Sequence, residues 1–330
     1  MIGLVLAKAE TSYGVDPTPT ASANTIAVAR SSVKYGPKFQ HLLRNILDGN
    51  HSKVSGFNVL PQVDFSFTVE LRGNRTDGTA ADISKGASAN AIEINPLLLA
   101  CDLAATYTAE TSVGAKNGYV TYKPTTPSDQ GASVTFYFYS GGKLHKITGC
   151  KGTVKGNLTA GQFGTLEFNF TGLYNSVTDV AISGITPTWL DTKPPTFTAA
   201  TSTVDAFSPV FQKLDFDLGN KVERREDANS TNGVKGFLIT DRDGKATIDP
   251  ESETEATNPV WGDLYNATAR TITAVVGTQT GNRIQITLMG VSEAVSYGDR
   301  GGIRTSQISY SLERSALSTT AGNEFQLKFY

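Results

Sequence analysis

Two short segments, far apart in the chain, open in the same way. One reads Ile94-Asn95-Pro96-Leu97-Leu98-Leu99-Ala100-Cys101-Asp102-Leu103, the other Thr257-Asn258-Pro259-Val260-Trp261-Gly262-Asp263-Leu264-Tyr265. Asn before Pro is a helix start: the Asn side-chain oxygen can accept from the free amides of the first turn. Pro at the first helical position lacks only a donor that had no partner anyway. Asn95 and Asn258 are therefore predicted N-caps of two short helices. A start that recurs in similar surroundings constrains the chain to build one supersecondary unit twice.

The surroundings do recur. Before the first helix, Val63 to Leu71 alternates apolar and polar residues, the period of a half-buried strand. Before the second lie Lys235 to Thr240 and Ala246 to Ile248, divided by Asp241-Arg242-Asp243-Gly244, which reads as a hairpin turn. After the first helix come Val134 to Tyr139, a Ser140-Gly141-Gly142 turn and Lys143 to Thr148. After the second come Arg270 to Val276, a Thr280-Gly281-Asn282 turn and Arg283 to Leu288. Both halves close on another strand, Thr165 to Phe170 and Thr305 to Tyr310. Pro187, Pro194 and Pro195 mark the join, because Pro lacks a ladder donor. The predicted units are residues 1–190, with a long hairpin or loop near 106–132, and residues 191–330, a degenerate copy.

Composition agrees with a mainly β chain. Charged residues are 18% of the 330, Gly numbers 32, and β-branched and aromatic residues recur in short runs between turn formers. The formal net charge is −2, which does not suit a protein that wraps DNA, since phosphate neutralisation takes clustered Lys and Arg. Cys101 and Cys150 stand alone, so a disulfide framework is excluded; two core thiols are expected, with one bridge as the alternative. The apolar Met1 to Leu6 is too short for a signal peptide, and no run is long enough for a membrane helix. The expectation is a soluble protein made in the cytoplasm.

Three sequence stretches resemble the major tail (tail tube) proteins of long-tailed bacteriophages. They are Phe136 to Tyr139 with Gly142 to Thr153, Thr165 to Tyr174, and the opening Glu10-Thr11-Ser12-Tyr13-Gly14-Val15-Asp16-Pro17-Thr18-Pro19. The resemblance is clear over Met1 to Tyr174 and weaker beyond. It implies two tandem tail-tube-like β-sandwich or barrel units, each with one short flanking helix. It also implies a virion structural protein that forms stacked rings around a lumen through which DNA passes without specific binding. A subunit with two units implies trimeric rings of pseudo-sixfold symmetry. The implied partners are other copies of the chain and the tape measure, terminator and distal tail proteins, with no membrane and no cofactor. Segments expected to reach between rings are Thr106 to Ala132, Asn220 to Gly236, Ile2 to Lys8 and Glu324 to Tyr330. The alternative is a carbohydrate-binding or adhesin-like β-sandwich tail component, for which Trp189 and Trp261 would be the exposed aromatics.

Little else carries chemistry. Asp249, Glu251, Glu253 and Glu255 recur at intervals of two, so a strand would set them on one face. That face is a candidate lumen lining, where weak repulsion lets DNA slide; a solvated loop before Asn258 is the plainer reading. Asp241 to Gly244 lacks the remaining ligands of a calcium loop, and His41, His51 and His145 are not in metal-ligand spacing. No nucleophile elbow, phosphate loop or dinucleotide fingerprint is present. No catalytic, cofactor-binding or metal-binding residue is assigned, and an enzyme is not expected.

Overall fold

Alternation governs the strands. Val63, Phe65, Phe67 and Val69 are buried while Asp64, Ser66, Thr68 and Glu70 between them are not. Successive side chains of a strand point to opposite faces, so one face enters the core. Ile284, Ile286 and Leu288 do the same in the second half. A computed structural model describes residues 3–73, 92–108, 118–127, 131–198, 201–230, 232–279, 281–314 and 322–330.

In chain order the first half contains β1 (Gly3–Ala9), β2 (Thr25–Ile26), β3 (Lys34–Arg44), β4 (Val54–Glu70), α1 (Asn95–Ala100), β5 (Leu103–Thr108), β6 (Tyr119–Pro124), β7 (Val134–Ser140), β8 (Lys143–Thr159) and β9 (Thr165–Asp179). The second contains β10 (Thr201–Val204), β11 (Lys213–Asp217), β12 (Asn220–Glu226), β13 (Val234–Arg242), β14 (Lys245–Ile248), α2 (Val260–Asn266), β15 (Ala269–Val276), β16 (Ile284–Arg300), β17 (Ile303–Leu312) and β18 (Phe325–Phe329). The protein is mainly β, with antiparallel pairing throughout.

The pairing order is the same in both halves. One series runs β1-β7-β8-β9-β4-β3. The other runs β10-β15-β16-β17-β14-β11. In each, the helix lies in sequence between the inner strand of a long ribbon (β4 or β14) and the first strand of a meander (β7 or β15). Irregularities correspond as well: β8 is offset between Thr148 and Lys151, and β16 between Ser292 and Ala294.

One seam joins the two series into a single sheet. The end of β8 pairs with β11 over five residues, Lys155↔Asp217 to Thr159↔Lys213. Gly156 stands opposite Phe216, whose ring occupies the space a side chain at 156 would need. β18 lies between β16 and β6 and so attaches the β5–β6 hairpin to the second series. A single apolar cluster runs through both halves, from Phe65, Phe67 and Phe136 to Ile286, Leu288 and Phe325. Phe216 and Phe325 meet inside it with ring centroids 5.4 Å apart. Cys101 and Cys150 are buried in it as free thiols.

Several sequence expectations are corrected. Asn95 is already inside α1 and makes no cap; its side-chain oxygen accepts from the buried Tyr122 hydroxyl at 2.9 Å. Asn258 precedes α2 by two residues, and Glu255 reaches the helix start instead, accepting from the Gly262 amide at 2.6 Å. Asp241 to Gly244 is not a hairpin turn. The chain continues in one direction there, changing partner from β12 to β11, and the reversal is at residues 227–233. Gly219, at φ +66°, faces the Asp243 carbonyl too closely for a β-carbon. The segment near 106–132 is a hairpin whose body, β5 and β6, is stitched to the C-terminal strand; its residues 109–117 and 128–130 lie outside the described residues. Of the strand-like ends, Gly3 to Ala9 pairs with β7 throughout and with β2 at Val5 and Leu6, and β18 pairs with β16 throughout and with β6 at Leu327 to Phe329, so both ends have partners within the chain; Ile2 lies outside the described residues.

Candidate assembly surfaces

Each half extends a two-stranded ribbon. In the second half, β11 and β14 continue as β12 and β13. This ribbon folds back onto the first half. The Phe237 amide donates to the Tyr13 hydroxyl at 2.6 Å, and that hydroxyl donates to the Gly149 carbonyl at 2.8 Å. Phe237 is buried, and burial pushes the Tyr13 phenol well above its ordinary value. At the root, Leu218 is fully buried and its amide donates to the Val154 carbonyl at 3.0 Å.

The floor beneath this root is polar and satisfied. The Asn220 side-chain amide donates to the Cys101 and Gly152 carbonyls at 2.8 and 2.9 Å. Arg242 donates to the Asn220 side-chain oxygen at 3.0 Å. Lys151, fully buried, pairs with Asp102 at 2.7 Å. Burial raises the Asp102 carboxyl above the usual range, while Lys151 draws it back down. Buried charges are tolerated only when paired and hydrogen-bonded in this way.

The ribbon of the first half, β3 with the outer part of β4, is bare. Phe39 is 44%, Leu43 61% and Phe57 62% exposed, and Leu42, Ile46 and Leu47 are exposed beside them. Leaving one such side chain in water forgoes about 1.5–3 kcal/mol. A contiguous apolar surface of this kind marks an interaction site. Among the described residues β3 pairs with β4 alone, so its other edge is open. An open edge is a template for another strand. Phe39 has an aromatic neighbour in Tyr174, at 5.3 Å between ring centroids.

A second open edge lies on β16. Residues 293–300 pair with β17 on one side, beyond the reach of β15 and β18. Next to it, Tyr297 is 52% exposed. Its hydroxyl accepts from the Trp261 indole at 3.1 Å, and the Arg304 guanidinium lies 3.6 Å from its ring centroid. Trp261 sits on α2 but is itself 42% exposed.

The acidic set is not one strand face, because β14 ends at Ile248. Asp249 accepts from the Gln212 and Lys213 amides at 2.9 and 2.7 Å and pairs with Arg300 at 2.8 Å. Glu251 lies 3.8 Å from Arg300, Glu255 serves α2, and Glu253 is exposed. Among the described residues no group of three or more His, Cys, Asp or Glu is placed to hold a metal ion, and no helix is long and apolar enough to cross a membrane. The bare ribbon escaped the sequence reading, although Phe39, Leu42, Leu43, Ile46 and Leu47 in one stretch without polar alternation are its signal.

Open sheet edges and an apolar ribbon beside a continuous core define a β-rich structural protein whose exposed features suit strand addition. The family model described as phage tail tube protein matches residues 3–316. The chain therefore belongs to the phage tail tube family: it is a structural subunit of the virion tail, which self-assembles into a tube and meets other tail proteins. No curated protein matches the chain.

Proposed function

We propose that residues 1–190 and 191–330 are two equivalent tube units, and that three copies close head to tail into a ring with six pseudo-equivalent positions. Rings stack around a lumen that conducts DNA. The observation that carries this reading is the repeated strand order, with one unit-to-unit seam already formed inside the chain. At that seam β11 adds to the free end of β8. The matching pair of edges, β3 and the end of β16, is open. A head-to-tail contact that closes makes a ring, and closure removes the exposed edges. Tape measure, terminator and distal tail proteins are the partners proposed for the lumen and the two tube ends. A lumen-facing place for Asp249, Glu251, Glu253 and Glu255 belongs to the same proposal, supported by the exposure of Glu253.

Electron microscopy of the concentrated protein, with particles viewed end-on, tests it. Hollow particles with three-fold symmetry and six similar lobes are expected. True six-fold rings bearing an outer domain would overturn the duplication and leave the tube.

A further inference from the structure

The two ribbons can be placed in register through their own irregularities. In the second half, Asp217 faces Lys245 before the break and Asn220 faces Arg242 after it. In the first, Lys38 faces Gln62 before the break and Gln40 faces Val59 after it. Phe39 thus holds the position of Leu218-Gly219, and Gln40 that of Asn220. On the receiving strands the offsets give the second match. Val154 lies three residues past Lys151, and Tyr297 three past Ala294. Leu218 is fully buried and its amide donates to the Val154 carbonyl, whereas Phe39 and Tyr297 are both about half exposed.

We propose that Phe39 of one copy seats on Tyr297 of a second copy, in the place that Leu218 takes beside Val154 within the chain. This rests on the ring reading above and names the contact that joins its subunits. The side chain of Gln40 then takes the place of Asn220 and donates to the backbone of Val295, the counterpart of Gly152. The receiving patch has the matching chemistry. Tyr297, Trp261 and Ile303 present an apolar surface with Arg304 stacked beneath it, and Phe39, Leu42 and Leu43 present apolar side chains to cover it. Aromatic pairs of this kind contribute beyond their area. Trp261, one of the two aromatics that a glycan would use, is in this assignment covered by a neighbour of the same sequence.

A disulfide tests the contact. Phe39→Cys and Tyr297→Cys replace half-exposed side chains, so neither opens the core. The native thiols are buried, and burial raises both well above the ordinary cysteine value, so they do not compete for oxidation. The double variant, oxidised mildly after assembly, is expected to run as covalent dimers and trimers without reductant. A mixture of the two single variants is expected to stop at dimers, which shows that the bond joins different copies. Phe39→Asp is expected to raise the concentration needed for assembly at least tenfold, with the thermal melt of the monomer unchanged. Rings or tubes under the microscope without a 39–297 disulfide would overturn this contact and leave the ring reading standing. A chain that neither forms rings nor cross-links at any concentration would overturn both.

Discussion

The two ribbons begin from the same place in the same strand order and end differently. β12–β13 is folded onto the first half, with Phe237 buried and its amide held by Tyr13. β3–β4 extends with Phe39, Leu43 and Phe57 in solvent. Intrinsic strand propensity does not separate them, since both are β-branched and aromatic enough to pair. The difference is the floor available within one chain. β12–β13 finds β8, with the Asn220 and Lys151–Asp102 groups prepared beneath it; among the described residues β3–β4 has no such floor.

The largest effects test the docked side. Phe216→Ala removes the ring that fills the space opposite Gly156, and should cost about 3–5 kcal/mol of stability in chemical denaturation. Asp102→Asn, which keeps a residue tolerant of the positive φ there, strands Lys151 as a buried charge. It should cost a similar ~3–5 kcal/mol, and Asp102→Asn with Lys151→Met should recover much of it. A smaller loss, about 1–3 kcal/mol, is expected from Tyr13→Phe, because the Phe237 amide loses its acceptor. Hydrogen exchange over residues 234–238 should accelerate in that variant; unchanged exchange would mean the ribbon is held by packing alone.

The root of the bare ribbon offers a pH test. Tyr35 of β3 packs against His145 with its ring tilted by 49° and the ring centroids 4.5 Å apart. Burial, and then nearby Lys143, holds His145 below the ordinary imidazole value. A folded-state pKa below the unfolded one means that the folded chain prefers the neutral ring. Its contribution is therefore complete above about pH 6.5 and is lost as the pH falls from there toward the lowered folded value. Stability should decline over that interval, and His145→Phe should flatten the decline. Smallest of all, Leu43→Ser and Phe57→Ser should leave monomer stability within about 0.5 kcal/mol while abolishing tube formation. A large drop in the monomer melt would show that the ribbon is packed at home after all.

The strands were readable because their period is local. Val63 to Val69 and Ile284 to Leu288 show which face is buried without reference to any partner. Helix positions were readable for the same reason, though not their caps. Whether Asn95 caps α1 or receives Tyr122 depends on β6, twenty-seven residues away, and Glu255 outcompetes Asn258 through the path of a loop. Asp241-Arg242-Asp243-Gly244 misled because turn residues also suit a kink where one strand exchanges partners. The acidic set misled because its spacing matches a strand that has already ended at Ile248. The bare ribbon was least legible: Phe39 and Leu43 look like core residues until the structure leaves both exposed among the described residues.

The five-residue seam between β8 and β11 also has a mechanical meaning. Antiparallel hydrogen bonds run perpendicular to their strands. A pull along the strands loads every bond of the seam together, whereas a pull across them opens one bond at a time. The joint is therefore stiff in one direction and compliant in the other, so a body built from such joints would bend more readily than it would slip apart.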